Sequence, residues 1–132
     1  MKHPFKGRLT FLLPLFLFLL CVVSFLSAAE KQRQVITGTL VDITCATDPK
    51  ANFSKLRTEH SRRCLLMPVC AESGYALLTE QGQVLRFDTN GNALARRLIQ
   101  KNSLNQHWRV SVDGLLEADQ LNVQRIKLLS AR

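Results

Sequence analysis

Apolar residues are distributed along this chain in two different ways. Residues 11–26 are almost continuously apolar, whereas from residue 35 onwards apolar and polar residues alternate in short runs. Alternation with a period of two is the pattern of a β-strand with one buried face. Gly38 interrupts the first run, and an isolated glycine in a strand predicts a bulge or a sharp bend. The pattern predicts five strands, over residues 35–44, 75–78, 83–87, 107–116 and 121–128.

Two helices are predicted between these strands. The first covers residues 55–66, where Ser54 is a suitable N-cap and Pro68 ends or kinks the helix. The second covers residues 92–101, which are amphipathic with a helical period, after a turn at residues 90–91. One helix therefore lies in the insert between the first two strands, and the other lies between the third and fourth.

This order of elements is the order of an OB-fold, a small, partly open barrel of five strands. We therefore predict a mainly β protein, an OB-fold-like β-barrel with one or two short helices, after an N-terminal signal helix. A five-stranded α+β roll with a different strand pairing is the structural alternative.

The apolar run at the start of the chain is typical of a targeting signal. Basic residues precede it, and the small residues Ser27 and Ala29 follow it at the spacing of a signal-peptidase site. We expect residues 1–29 to be a signal peptide, which predicts a periplasmic or secreted protein. The alternative is an uncleaved membrane anchor, because the run approaches the length that spans a bilayer. In that case the domain lies on the extracytoplasmic side of the membrane.

The rest of the chain is long enough for one domain. Residues 30–34 are polar and are expected to form a flexible leader, followed by a single OB-like domain over residues 35–129. The part after residue 29 holds 15 of the 18 Lys and Arg residues and all 10 acidic residues, which gives it a net charge of +5. The basic residues are scattered, so they indicate ordinary solvated surface. We expect no nucleic-acid partner, and a periplasmic or cell-surface partner of undefined chemistry.

Three cysteines and a histidine carry the candidate chemistry of the domain. Cys45 follows the first predicted strand, and Cys64 and Cys70 lie in or beside the first predicted helix. His60 stands four residues before Cys64, so the two share a face if both lie on one helix. Cys45 then has to fold onto the other three.

The first interpretation of this cluster is a structural disulfide. Disulfides persist outside the cytoplasm, and two of the three cysteines are expected to pair, with Cys45 as one member. Pairing with Cys64 or with Cys70 closes a loop of about 20 to 26 residues, worth roughly 3 kcal/mol in either case. Energetics therefore does not choose between the two partners, and all three cysteines are disulfide candidates.

The second interpretation is a metal site. Three thiolates and the His60 imidazole are a complete tetrahedral set for zinc, and Met67 adds a thioether suited to Cu(I). Asp42 lies on the strand that leads to Cys45, and it is a candidate to orient His60 without binding the metal itself. The competing explanation is that His60 faces solvent on its helix and Met67 fills the core.

The third interpretation is thiol redox chemistry. One cysteine stays unpaired after a disulfide forms, and His60, Arg62 or Arg63 are placed to lower the pKa of a nearby thiol. The sequence has no Cys-x-x-Cys motif and no thioredoxin-like pattern of strands and helices. It also lacks a paired-carboxylate set, a serine elbow and a phosphate-binding loop, so we lean towards a protein that is not an enzyme.

Several of these segments together resemble a group of small exported bacterial proteins of uncharacterised function. Members of that group share a strand ending in Asp-x-x-Cys, then a His and two Cys in the following helix, and an OB-like closing hairpin. The resemblance implies export, the OB-like fold and a shared cluster, but no reaction. The segments that carry it here are Gly38 to Cys45, then His60, Cys64, Cys70 and Ser73-Gly74, and then Leu77 to Thr79 with Gly82 to Val84.

The sequence thus predicts an exported, non-enzymatic OB-like binding or structural module of unknown ligand, stapled by a disulfide and without a cofactor. The alternative is a zinc- or copper-binding or thiol-redox protein that uses Cys45, His60, Cys64 and Cys70, with Asp42 behind the histidine.

Overall fold

The computed structural model describes residues 32–129, and the predicted signal peptide lies outside these residues. The described part consists of five strands and five short or medium helices. The strands are β1 (Gln32–Asp42), β2 (Tyr75–Thr79), β3 (Val84–Phe87), β4 (Arg109–Glu117) and β5 (Gln120–Leu128). The helices are α1 (Ile43–Ala46), α2 (Phe53–Glu59), α3 (Arg62–Leu65), α4 (Pro68–Ser73) and α5 (Thr89–Lys101).

The five strands form one sheet that closes on itself in the order β1-β2-β3-β5-β4. The long strand β1 closes it, because its first part pairs with β4 and its last part pairs with β2. All pairings are antiparallel except that of β3 with β5, which is parallel. The prediction of a mainly β protein with five strands and a few short helices is therefore confirmed.

The interior of the sheet holds the larger of two hydrophobic clusters. Trp108 and Tyr75 are its bulkiest members, and Leu40, Leu77 and the inward side chains of β4 and β5 surround them. Helix α5 contributes Ala95 and Ile99 to the same cluster. The predicted second helix therefore exists, and its buried face packs mainly against β5.

The second, smaller cluster lies on the other face of β2. Every residue of this strand is buried, because one face points into the sheet interior and the other is covered by the insert between β1 and β2. Phe53 and Leu56 of α2 pack there against Val41, Ala76 and Leu78. The Arg57 guanidinium also donates a hydrogen bond to the Thr79 carbonyl at 2.8 Å. These contacts fix the insert against the end of β1.

Two local predictions were wrong, and capping explains both of them. The single helix over 55–66 is two helices, because the Ser61 side chain accepts a hydrogen bond from the Cys64 N–H and starts α3 anew. The predicted break before Pro68 is present, since α3 ends at Leu65, and Pro68 then begins α4, where its missing N–H has no partner to lose in a first turn. Residues 90–91 lie inside the first turn of α5, because Asp88 caps that helix through the Gly91 N–H.

The predicted flexible leader is also shorter than the sequence indicated. Residues 32–34 belong to β1 and pair with residues 114–116 of β4. The Arg33 guanidinium donates two hydrogen bonds of 3.0 Å to the Asp113 carboxylate. These hydrogen bonds hold the pKa of Asp113 below its ordinary value and raise the pKa of Arg33. Polar residues at the start of the strand are thus ordered by pairing and not by burial.

Gly38 marks the position where β1 changes partners, since it faces Val110 of β4 and Thr79 of β2. A Cβ at this position would lie 2.5 Å from the Leu78 carbonyl oxygen, which belongs to the backbone and cannot rotate away. The sequence predicted a bend or bulge here, and the close backbone approach is the physical reason for the glycine.

We expect Gly38→Ala to lower the free energy of unfolding by about 1 to 3 kcal/mol, the usual cost of overpacking. Chemical denaturation followed by tryptophan fluorescence measures the change, since Trp108 lies in the core. Ala93→Gly is the control, because it also changes one methyl group but at an exposed position of α5. It should lower the free energy of unfolding by about 1 kcal/mol, from helix propensity alone. A Gly38→Ala protein as stable as the wild type would show that the strand shifts freely at this point.

No helix among residues 32–129 is long and apolar enough to cross a membrane.

Candidate metal centre

The centre is built on the end of β1. Asp42 is the last residue of this strand, and its side chain is fully buried. Its Oδ1 atom accepts a hydrogen bond of 2.9 Å from the Cys45 N–H and so caps the one-turn helix α1. A carboxylate at this position ends the strand and starts the helix. The Asp-x-x-Cys spacing of the sequence is therefore the spacing of an N-cap, and it fixes where Cys45 lies.

His60 reaches the same carboxylate from the insert. It lies between α2 and α3 with an extended backbone, and it is 7% exposed. Its Nε2 atom lies 2.9 Å from the Oδ2 atom of Asp42. The prediction that His60 and Cys64 share one helix face is wrong, because the helix breaks at His60. The competing expectation of a solvent-facing His60 is also wrong, since the break turns the imidazole inwards.

Cys64 lies in the short helix α3, which is anchored to the rest of the domain at several points. The Arg62 N–H donates to the Asn105 carbonyl at 2.7 Å, and the Arg62 guanidinium donates to the Ile99 carbonyl at 3.1 Å. The Tyr75 hydroxyl donates to the Leu65 carbonyl at 2.9 Å. With α3 held in this way, the Cys64 sulfur lies 3.9 Å from the Cys45 sulfur.

Cys70 and Met67 do not occupy equivalent positions. Cys70 in α4 is buried, and its thiol interacts with Cys64 and Asp42. Met67 is 44% exposed, so the expectation that it fills the core is wrong. The thioether of Met67 therefore faces solvent. The five other candidate residues lie together, and they are Asp42, Cys45, His60, Cys64 and Cys70.

Four of these residues converge most closely. Asp42, Cys45, His60 and Cys64 each offer one ligand atom, and the four atoms lie within 4.8 Å of one another. Three separate segments contribute them, namely the end of β1 with α1, the break after α2, and α3. Cys70 lies outside this closest group, although the sequence placed it among the ligands and placed Asp42 behind them.

No family model, curated protein or solved structure matches this chain. The resemblance to small exported bacterial proteins therefore stays a prediction, and the centre is interpreted from its own geometry.

The two sulfurs have nearly the spacing that two ligands of a tetrahedral ion require. Metal–ligand bonds of 2.0 to 2.3 Å separate tetrahedral ligands by about 3.3 to 3.8 Å. The two sulfurs, at 3.9 Å, are near this separation and well beyond the roughly 2.05 Å of a disulfide bond. All three described cysteines are free in this structure, and the predicted disulfide stays a prediction.

Two buried polar atoms of the centre lack a well-directed hydrogen-bond partner. These are Oδ2 of Asp42 and Nε2 of His60, which lie close to each other but do not point along a hydrogen bond. Buried polar atoms are nearly always satisfied, and an exception suggests a bound ion or another partner. Neither atom has another hydrogen-bond partner among the described residues, so an ion bound between them would satisfy both.

The charges of the centre are shifted by burial and by its own members. Burial raises the pKa of Asp42, but the contacts with His60 and Cys45 outweigh it and hold the pKa below the ordinary carboxyl value. Burial and the Asp42 charge raise the pKa of Cys45, and the same causes raise the pKa of Cys70 to about 12. Without a cation, these two thiols remain protonated beside the carboxylate. A bound cation reverses that preference, because it stabilises thiolates directly.

An open cleft of about 330 Å³ gives access to the centre. Cys64 and His60 line it, and no other cysteine among the described residues does. The rest of its wall comes from residues of the α1–α2 loop, α2 and the break after it: Lys50, Asn52, Lys55, Leu56, Glu59 and Ser61. No sequence pattern predicts this cleft, since its two lysines resemble any other solvated charges.

Proposed function

We propose that this protein is an exported, OB-like module that binds one thiophilic metal ion, with zinc as the first candidate and Cu(I) as the second. Asp42, Cys45, His60 and Cys64 are the proposed ligands. The proposal moves away from the sequence-based preference for a module of unknown ligand, because four suitable ligand atoms converge at one buried point.

The strand order supports the OB-like assignment. In an OB-fold five strands form a Greek-key barrel. Here β1 pairs with both β2 and β4, β3 runs parallel to β5, and α5 lies between β3 and β4 in the chain. Export is proposed from the signal-like segment before residue 30, and a periplasmic or cell-surface partner is proposed with it.

The single observation that carries the metal proposal is the spacing of the four ligand atoms. They lie within 4.8 Å of one another, and the two sulfurs have nearly the separation that two tetrahedral ligands have. The uncommitted Oδ2 and Nε2 atoms strengthen it, because an ion between them would satisfy both. Asp42 and His60 lie closer together than tetrahedral ligands do, so they would separate by a few tenths of an ångström on binding.

The ligand types favour zinc among common ions. Zinc accepts thiolate, imidazole and carboxylate ligands together, whereas magnesium and calcium prefer oxygen alone. Cu(I) prefers soft sulfur ligands, and Cys70 offers a third thiol beside Cys64 for it. The described residues form no acid–base or nucleophilic set apart from this cluster, and we propose that the protein stores or presents its metal and does not use it for catalysis.

The Cys45–Cys64 separation also supports a second candidate, a structural disulfide. Side-chain rotation that brings the sulfurs from 3.9 Å to about 2.05 Å would staple α3 to the end of β1. The protein would then be the binding module that the sequence predicted, with Cys70 as its free thiol. Metal binding and this disulfide use the same sulfurs, so one sample of protein cannot have both in full.

Metal titration of the reduced protein tests the proposal. We expect the wild type to bind one equivalent of Zn²⁺ or Cu⁺, measured by elemental analysis after gel filtration, and to lose it to a chelator. Cys64→Ser should retain less than a tenth of an equivalent, because it removes a ligand. Met67→Leu is the matched control in the same segment and should bind like the wild type, since Met67 is exposed.

Two results would contradict the metal proposal. One is a reduced wild-type protein that stays metal-free in micromolar zinc and copper. The other is full binding by Cys64→Ser. A protein isolated without metal and with Cys45 bonded to Cys64 would favour the structural disulfide.

A further inference from the structure

One member of a close cysteine pair lines the cleft over the centre. Cys64 is that member, whereas Cys45, which is also partly exposed, is not part of the lining, and the two sulfurs lie 3.9 Å apart. In thiol–disulfide exchange, one thiol attacks an incoming disulfide and a second thiol then resolves the mixed disulfide. An accessible sulfur with a second sulfur close to it is the arrangement that this two-step reaction needs.

The cleft also has the size and charge for a particular class of partner. A volume of about 330 Å³ accommodates a small molecule. Lys50 and Lys55 provide two positive charges in its wall against the single negative charge of Glu59. Leu56 adds an apolar surface, and Asn52 and Ser61 add hydrogen-bonding groups. This lining fits a small disulfide that carries carboxylates.

We propose that the cleft admits a small anionic disulfide, and that Cys64 and Cys45 reduce it by thiol–disulfide exchange. Cys64, as a thiolate, attacks one sulfur of the incoming disulfide, forms a mixed disulfide and releases the other half as a thiolate. Cys45 then gives up its proton to solvent as it attacks the Cys64 sulfur, forms the Cys45–Cys64 disulfide and releases the remaining half as a thiolate.

The reaction is balanced as a two-electron exchange. The small disulfide gains two electrons and becomes two thiols, while the protein dithiol loses two electrons and becomes a disulfide. The two protons of the protein thiols pass through solvent to the released thiolates. The inference uses the thiol pair of the proposed metal centre, but the exchange itself needs no metal. If the protein both binds a metal and carries out this exchange, oxidation of Cys45 and Cys64 removes two metal ligands and thereby releases the ion.

Exchange kinetics of the chelated, reduced protein test the inference. The experiment uses the full chain with the substitution Cys21→Ser, so that Cys45, Cys64 and Cys70 are the only thiols in the sample. The anionic probe is dithiobis(nitrobenzoate), which has two carboxylates, and the neutral probe is dithiodipyridine. Lys50→Gln with Lys55→Gln should slow the anionic probe about tenfold at low salt and leave the neutral probe unchanged, because it removes the positive field of the cleft. Lys127→Gln, at an exposed position of β5, is the control and should change neither rate.

Trapping the intermediate tests the order of the two sulfurs. In a Cys70→Ser background, which removes the third thiol beside Cys64, Cys45→Ser should release one equivalent of probe thiol and retain the adduct on Cys64, identified by peptide mass spectrometry. The wild type should release two equivalents and end with the Cys45–Cys64 disulfide. A wild-type protein with an adduct mainly on Cys45 or Cys70, or an equal slowing of both probes by the lysine variants, would overturn the inference. Because no metal is present, failure here would not affect the metal titration, and failure of metal binding would not affect these rates.

Discussion

Replacement of Asp42 by alanine is expected to cost about 3 to 5 kcal/mol of folding free energy, the usual effect of removing one partner of a buried pair. The Asp42 side chain is fully buried, it caps α1 through the Cys45 N–H, and it lies 2.9 Å from His60. Alanine removes the cap and leaves the buried imidazole without its carboxylate. Equilibrium unfolding in urea, with chelator present, measures the loss. A loss of this size is a large part of the free energy of unfolding of a typical domain, which is about 5 to 15 kcal/mol.

A second N-cap in the insert separates the two contributions. Asn52 caps α2 by accepting from the Lys55 N–H at 3.1 Å, and it is exposed. Asn52→Ala should therefore cost about 1 kcal/mol, the value of a cap alone. If Asp42→Ala costs no more than Asn52→Ala, the contact with His60 contributes nothing to stability.

The pH dependence of the Asp42 effect has a definite sign. The folded protein holds the pKa of this carboxyl below its ordinary value, so the ionised form favours the folded state. That stabilisation is complete above about pH 4, the unfolded value, and is lost as the pH falls through the lower folded value. Asp42→Asn keeps the volume and removes the titration, so its difference from the wild type should shrink in acid. A difference that grows in acid would contradict the assignment.

The strands of this domain could be predicted from the sequence because each has a clear buried face. Val110 and Val112 of β4 alternate with polar residues, and Leu121 and Val123 of β5 do the same. The first residues of β1 escaped prediction because pairing with β4 orders them without burial. Local side-chain hydrogen bonds also decided the helix boundaries, and hydrophobic periodicity does not register these bonds.

The residues of the centre were predicted more successfully than its geometry. Asp42, Cys45, His60, Cys64 and Cys70 could all be named from residue type and proximity in the chain. Their roles depend on where the helical segment of the insert is interrupted, and the Ser61 N-cap sets the position of that interruption. The sequence placed Asp42 behind His60, whereas in the structure its carboxylate lies within 4.8 Å of the other three ligand atoms and so belongs to the same group. The cleft formed by Lys50, Lys55 and Glu59 depends on the packing of α2, which no sequence pattern specifies.

The way the centre is assembled explains why it should affect the stability of the whole insert. Its ligands come from the end of β1, from the break after α2 and from α3, so an ion would connect these segments. Strand β1 is in turn fixed by β2 and β4. A metal that binds only the folded arrangement therefore stabilises it by mass action.

We accordingly expect the reduced protein to melt at a temperature about 10 to 20 °C higher when free zinc exceeds its dissociation constant a hundredfold. That excess contributes about 2.7 kcal/mol, and each kcal/mol shifts the midpoint of a domain of this size by about 4 to 8 °C. Calorimetry at buffered free zinc measures the shift. Cys64→Ser should show no shift under the same conditions, and Cys70→Ser should keep it if Asp42 is the fourth zinc ligand. An equal shift in Cys64→Ser would place the metal elsewhere. A shift abolished by Cys70→Ser but kept by Asp42→Asn would give the fourth position to the third thiolate.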